Sequence, residues 1–250
     1  MIFDAHMHIG NYPLFNVSLD RDGLAATLQE NDISRCCVFA PDNDEVKRVV
    51  DTIPGAKALV WANPRMPGNI ERSIELLDDP TFVGVKLHPL LDAYHPNDPS
   101  LRPLMDVVAD RGLPVLVHCG HEIFTLPWSI EELAVAYPGA KVIFGHMGLA
   151  NVIYINACIE IACRRDNVYL ETSGMPEHAK IAEAIETVGE TRVLYGSDAP
   201  FHHPAVEILK VRVSGLPEDL VDRVLYRNAL ELFRMSDDRV EATSAAAADS

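Results

Sequence analysis

The run MIFDAHMH, residues 1–8, joins an apolar stretch to two histidines, His6 and His8. Its composition predicts a buried β-strand over residues 1–5, and the histidines follow where that strand ends. Side chains alternate between the two faces of a strand, so His6 and His8 are expected to point the same way. The same unit, a short apolar run followed by polar residues, recurs along the chain and indicates its architecture.

Eight short apolar runs predict eight β-strands. They are rich in Val, Ile and Leu and do not clearly alternate with polar residues, which is typical of strands buried on both faces. After the opening run they lie at Arg35–Ala40, Lys57–Ala62, Phe82–His88, Pro114–His118, Lys141–Gly145, Asn167–Thr172 and Arg192–Tyr195.

Longer amphipathic stretches lie between the apolar runs and predict helices. Ser129 begins Ser-Ile-Glu-Glu, a capping-box signature. The alternation predicts a compact or slightly distorted (β/α)8 TIM barrel, with an open doubly wound sheet as the alternative. We assign residues 1–235 to this domain and expect the alanine-rich residues 236–250 to form a flexible tail. The helical stretches are Asp20–Asn31, Asp98–Arg111, Ser129–Ala136, Asn151–Arg164, Glu177–Val188 and Pro217–Phe233.

The composition of the 250-residue chain restricts its partners. A formal net charge of -16 argues against a polyanionic partner such as nucleic acid. No apolar run reaches the roughly 20 residues that span a bilayer, and no secretory signal opens the chain. We therefore expect a cytoplasmic protein without membrane contact. The five cysteines form no CxxC pair and are expected to be free thiols.

Polar side chains recur where the predicted strands end. In a barrel of parallel strands, all the carboxyl ends open on one face, where active sites form. A single histidine or aspartate at a strand end is usually only hydrogen-bonded, but burying several at one barrel mouth is costly unless they bind a metal or pair with each other. Histidine and aspartate ligands with an open coordination position are typical of a catalytic Zn²⁺ site. The candidates are His6, His8, Lys86, His88, His118, His146 and Asp198.

This ordered series resembles a known family. It is similar to the amidohydrolase superfamily of metal-dependent barrel enzymes, and within it to the amidohydrolase 2 branch, which includes aminocarboxymuconate-semialdehyde decarboxylase-like proteins. The matching segments span nearly the whole chain. They are Asp4–His8 (DAHMH), Gly84–Pro89 (GVKLHP), His118, Gly145–Gly148 (GHMG), Tyr169–Gly174 (YLETSG), Gly196–Asp198 (GSD) and Arg227–Phe233 (RNALELF).

The resemblance implies a role for most residues of the series. His6, His8, His118 and Asp198 would bind one divalent metal, Zn²⁺ in the first instance and Mn²⁺ or Fe²⁺ as alternatives, with water in an open position. Such a metal lowers the pKa of that water to about 7. Asp198 would also accept the water's proton, and His146 would polarise the substrate or orient the water.

Three roles are open for Lys86. In superfamily members with two metals, a lysine at this position is carboxylated and bridges them, and His118 and His146 bind the second metal. An unmodified Lys86 could instead bind a carboxylate or phosphate of the substrate, with His88 and Arg65 as further substrate-binding candidates. The third role is a salt bridge inside the barrel mouth.

The sequence therefore predicts a metal-dependent hydrolase that cleaves an ester, lactone or amide bond of a small carboxylic-acid-type substrate. The first alternative is a non-oxidative decarboxylase of an unsaturated or aromatic carboxylic acid, and the second is a catalytically silent barrel that acts as a binding protein. A homodimer is a further expectation because dimers are common among similar proteins. Glu171, Ser173, His121 and His202 are weaker candidates for the site.

Overall fold

The computed structural model describes residues 1–236 and contains one sheet of eight parallel strands that nearly closes into a barrel. This confirms the predicted (β/α)8 fold, and two further short strands form a separate antiparallel hairpin. Apart from Ser236, the predicted tail lies outside the described residues. In chain order the strands are β1 (Ile2–His8), β2 (Gly10–Tyr12), β3 (Val17–Leu19), β4 (Ile33–Phe39), β5 (Ala56–Trp61), β6 (Phe82–Leu87), β7 (Pro114–His118), β8 (Lys141–Gly145), β9 (Val168–Glu171) and β10 (Val193–Leu194).

Helices connect the barrel strands. All six predicted helical stretches are present, and four further helices of four to nine residues were not predicted. No helix within residues 1–236 is both long enough and apolar enough to cross a bilayer. The helices are α1 (Arg21–Glu30), α2 (Asn43–Val50), α3 (Asn69–Leu76), α4 (Pro89–Asp92), α5 (Arg102–Arg111), α6 (Pro127–Ala136), α7 (Val152–Arg164), α8 (Ala179–Val188), α9 (Pro204–Arg212), α10 (Glu218–Asp222) and α11 (Asn228–Leu232).

The ends of these helices follow ordinary capping chemistry. The Asp20 side chain accepts a hydrogen bond from Gly23 N at the start of α1, and α5 ends at Gly112 in the left-handed conformation. The capping box predicted at Ser129 is wrong. Helix α6 begins earlier, at Pro127, because proline fits the first helical position, where no N–H donor is required.

The first and last barrel strands meet through a short seam. Strand β10 contains only Val193 and Leu194, which is shorter than predicted, and the chain beyond it completes the pairing with β1. Met7 and Ala199 form an isolated parallel bridge, and His8 N donates to Ala199 O at 2.7 Å. This seam places the backbone of Asp198 beside that of His6.

The barrel interior is filled by alternate residues of each strand. Leu59, Leu116 and Ile143 belong to one inner cluster together with Phe3 and Ala5 of β1. The intervening strand residues instead pack against the helices in a larger outer core. The apolar inner cluster therefore leaves the carboxyl ends of the strands as the place where polar side chains can meet.

Candidate metal centre

A β-bulge in β1 sets the direction of its two histidines. Phe3 and Ala5 face the barrel interior, so regular alternation would turn His6 and His8 outward. The pairing of β1 with β4 is irregular between Asp4 and Met7. Beyond this irregularity, His6 and His8 lie on the interior side, where both rings pack against Phe39. Bulges that re-aim a side chain are common beside active sites.

The buried Asp4 carboxylate holds the irregular backbone in place. Its Oδ1 accepts hydrogen bonds from His6 N at 3.1 Å and from Ser197 N at 2.9 Å. Asp4 thereby ties β1 to the segment that carries Asp198. Burial raises the pKa of the Asp4 carboxyl to about 7. The sequence pattern DAHMH contained Asp4, but nothing in its spacing indicated this role.

Three of the predicted metal ligands converge at the seam. His8 Nε2 lies 3.1 Å and His6 Nε2 lies 3.3 Å from Asp198 Oδ1. All three side chains are buried or nearly so, and their ligand atoms lie within 4.8 Å of one another. Asp198 has a positive φ of 59° and its N–H donates to His6 O at 2.7 Å, so the backbone pairing itself fixes its direction.

Glu171, at the end of β9, orients the His6 ring. Its Oε2 lies 2.7 Å from His6 Nδ1, and it also accepts from His146 N at 3.1 Å and from Ser173 Oγ at 2.9 Å. This hydrogen-bond network assigns the His6 proton to Nδ1 and leaves the Nε2 lone pair facing Asp198. A carboxylate that fixes the tautomer of a ligating histidine is a common partner of metal sites.

The protonation states of the cluster suit a divalent cation. Burial lowers the pKa of His6 and of His8, which keeps both imidazoles neutral near pH 7. Burial acts to raise the pKa of Asp198, but attraction to His146, His8 and His6 when these rings are protonated, together with a hydrogen bond from His8, outweighs burial and holds that pKa below its usual range. Two neutral imidazoles and a carboxylate are a donor set that Zn²⁺ and similar metals prefer, so these residues fit the expected metal.

His146 and His118 extend the cluster away from this triad. His146 Nε2 lies 3.0 Å from His118 Nδ1, and His118 Nε2 lies 2.8 Å from His121 Nδ1. Among the described residues, two groups could hold a metal, namely His6–His8–Asp198 and His6–His146–Glu171. His118 belongs to neither group, so its role as a fourth ligand stays a prediction.

Lys86 projects into the same buried space from β6. Its Nζ lies 3.3 Å from His6 Nε2 and 4.6 Å from the centre of the Phe39 ring. Burial lowers the pKa of this ammonium group to about 8. No carboxylate of residues 1–236 lies within 4.0 Å of Lys86 Nζ, so the salt bridge considered from the sequence is not observed.

The other two substrate-binding candidates lie farther out. The Arg65 side chain is exposed, and its Nε donates to Ala93 O at 3.2 Å. His88 stacks on His118 with ring centres 4.1 Å apart, and its Nδ1 accepts from Leu91 N. His88 is thus at the edge of the histidine cluster, whereas the guanidinium of Arg65 is bonded to the backbone at the end of α4.

Gly196 shows how closely the last strand approaches the site. A Cβ at this position would lie 2.5 Å from Glu171 Oε1 and 2.7 Å from the Cβ of His6. Only glycine therefore leaves room for the bond between Glu171 and His6. Glu171 lies in the motif YLETSG and Gly196 in the motif GSD. The sequence does not reveal their contact, because a single glutamate at a strand end is not distinctive.

The fold and the site together define a (β/α)8 barrel with a candidate metal centre at the carboxyl ends of its strands. The family model described as Amidohydrolase matches residues 11–235, and the protein belongs to that family. Members of this family are enzymes, mainly metal-dependent decarboxylases or hydrolases. The match begins after His8, so the assignment of His6 and His8 rests on the geometry described above. No curated protein matches the chain.

Solved structures share the fold at low sequence identity. An uncharacterised TIM-barrel protein from Bordetella bronchiseptica has a TM-score of 0.78 and 17% identity, and the alignment covers 93% of this chain and 98% of that one. A dihydroxybenzoic acid decarboxylase from a Polaromonas species, with bound manganese and 2-nitroresorcinol, has a TM-score of 0.74 and 15% identity over 93% and 96%. A 5-carboxyvanillate decarboxylase from Sphingomonas paucimobilis has a TM-score of 0.68 and 17% identity, and the alignment covers 94% of this chain and 99% of that one.

Proposed function

We propose that the protein is a metal-dependent hydrolase that uses a divalent cation to cleave an ester, lactone or amide bond of a small carboxylate-bearing substrate. The observation that carries this proposal is the convergence of His6, His8 and Asp198 beside Lys86, a buried cation without a carboxylate partner in the described part of the chain. The triad supplies metal ligands, and Lys86 supplies a positive charge that a substrate anion would satisfy.

The residues of the triad and their neighbours would have separate roles in the reaction. A divalent metal held there supplies a Lewis acid and lowers the pKa of water. Asp198 uses Oδ1 to face the two imidazoles, which leaves Oδ2 to accept a proton, with the His202 ring nitrogen 3.8 Å away. His146 is held by Ser173 and Glu171, and its Nδ1 donates toward Ser173, so its Nε2 lone pair would accept a hydrogen bond from the water and orient it.

Non-oxidative decarboxylation is the second candidate. Similar solved structures include decarboxylases of dihydroxybenzoate and carboxyvanillate, one of them with bound manganese. The same residues would then orient a substrate carboxylate and deliver a proton in place of hydrolysis. A CO₂-release assay on aromatic and unsaturated acids, run beside a panel of esters, lactones and amides, distinguishes the two reactions. No turnover in either panel with Zn²⁺, Mn²⁺ or Fe²⁺ would favour a silent binding protein.

Metal addition is expected to stabilise the purified protein. A cation at 100 times its Kd adds about 2.7 kcal/mol to the free energy of unfolding, which corresponds to a rise in Tm of about 5–10 °C for a domain of this size. Thermal unfolding after chelation and after readdition of Zn²⁺ or Mn²⁺ measures this shift. His8→Ala should abolish it, whereas His178→Ala, on the exposed surface, should not. A Tm that is unchanged by either metal would contradict metal binding.

Replacement of Lys86 by methionine tests its role toward the substrate. A charge-assisted hydrogen bond is worth about 1.5–3 kcal/mol, so we expect KM for the substrate found in the panels to rise about 10- to 150-fold with little change in kcat. The control is Lys57→Met, because Lys57 lies at the opposite end of the barrel and donates to Pro80 O. A fall in bound metal from two ions to one, with KM unchanged, would instead show that Lys86 is carboxylated and bridges two metals.

A further inference from the structure

Helix α9 carries an ion pair that is buried although it lies outside the metal centre. Glu207 and Lys210 are in contact, and their side chains are only 6% and 9% exposed. A buried ion pair contributes little net stability, because desolvation of both charges offsets their attraction. Stability alone therefore does not explain why this ion pair is buried.

The pair forms hydrogen bonds with the backbone on both sides of Ser173. Lys210 Nζ donates to Thr172 O at 2.6 Å, and Glu207 Oε2 accepts from Gly174 N at 3.3 Å. These two bonds hold the segment that follows β9 and prevent it from shifting along the barrel mouth. Ser173, between the two anchored residues, is fully buried.

Ser173 connects the anchored segment to the metal centre through its hydroxyl group. Its Oγ donates to Glu171 Oε2 at 2.9 Å and lies 3.0 Å from His146 Nδ1. Glu171 in turn fixes the tautomer of His6. A displacement of Ser173 would therefore move both the carboxylate that orients His6 and the ring of His146.

Glu207 also faces the opposite side of the centre. His202 lies between two carboxylates, with Nδ1 3.9 Å from Glu207 Oε1 and Nε2 3.8 Å from Asp198 Oδ2. The two branches that begin at Glu207 reach the site through different elements. One passes through hydrogen bonds at Gly174 and Ser173 to Glu171. The other passes through His202 to Asp198 and is weaker, because both His202 contacts are longer than hydrogen bonds.

We propose that Glu207 and Lys210 are positioning residues that hold Glu171 and His146 in the arrangement required for metal binding and catalysis. This inference rests on the proposed metal-dependent function. Both side chains act through the segment around Ser173, and Ser173 in turn contacts Glu171 and His146. The chain offers a matched pair for comparison, since Lys180 and Glu183 on α8 have the same three-residue spacing but lie on the surface.

The test is the Zn²⁺ affinity of the full chain, measured by competition with a chromogenic chelator, together with kcat. We expect Lys210→Met and Glu207→Gln to weaken Zn²⁺ binding about 10- to 100-fold, as loss of the groups that orient metal ligands does at other metal sites. Lys180→Met should leave the affinity unchanged, and Lys210→Arg should restore most of it. The Tm of each metal-free variant identifies any loss that comes from unfolding.

A double variant keeps the test decisive if the single changes unfold the protein. Glu207→Leu with Lys210→Met removes both charges at once and leaves no unpaired ion in the interior. A folded double variant with the Zn²⁺ affinity and kcat of the wild type would overturn the positioning role. Failure of the wild-type protein to bind Zn²⁺ or Mn²⁺ would instead overturn the proposed metal dependence.

Discussion

Replacement of Asp198 by asparagine is expected to lower kcat about 100- to 10,000-fold, the range for loss of a general base. An amide oxygen can still face the nitrogens of His6 and His8, which lie 3.3 and 3.1 Å from the present carboxylate oxygen. The amide cannot accept a proton, so the variant should keep part of its metal and lose nearly all turnover. Steady-state kinetics and metal content, measured on the same preparation, separate the two effects.

The control for this variant is Asp92→Asn. Asp92 accepts a hydrogen bond from Trp61 Nε1 at 2.9 Å and makes no contact with the triad, so its amide variant should retain normal turnover. If Asp198→Asn retains a near-normal kcat with metal bound, Asp198 is not the base.

Glu171→Gln is expected to weaken metal binding about 10- to 100-fold, because it changes the group that orients a ligating histidine. The carboxylate accepts from three donors at Oε2 and from Ser173 N at Oε1. A glutamine has one acceptor oxygen, so its NH₂ group must face at least one of these donors, and the negative charge behind His6 is lost. Each unpaired buried donor also costs about 1–3 kcal/mol of unfolding free energy.

Metal titration and thermal unfolding of this variant measure the two consequences separately. Glu183→Gln on the exposed face of α8 is the matched control, since within residues 1–236 the Glu183 carboxylate forms its ion pair with the nearby Lys180. An unchanged metal affinity in Glu171→Gln would show that the tautomer of His6 does not depend on Glu171.

The strands of the barrel could be predicted because each contains a short apolar run that is typical of a strand buried on both faces. Helices as short as α4, which contains Pro89–Asp92, could not be predicted, because their few residues carry no periodic pattern and tertiary contacts select them. Strand β10 was predicted too long because its pairing passes to the irregular residues beyond Leu194.

The site was predicted from residue types at strand ends, and this worked for groups that share an edge of the sheet. His6 and His8 were expected to share a face, and they do, but the face was set by a bulge that alternation alone cannot reveal. Glu171 is only a weaker candidate from the sequence, because a carboxylate at a strand end is common. Its importance depends on the His6 nitrogen 2.7 Å away, a contact between distant parts of the chain.

The seam between β1 and β10 has a consequence for how the chain folds. His6 and Asp198 come from opposite ends of the barrel sequence, and closing so large a loop carries the highest entropic cost of any pairing between neighbouring strands. Contacts of such long range tend to form late, and the last strand has only two residues to hold it. A nascent or partly folded chain therefore lacks the paired carboxylate and imidazoles, and it gains the ability to capture a cation only when the ring closes.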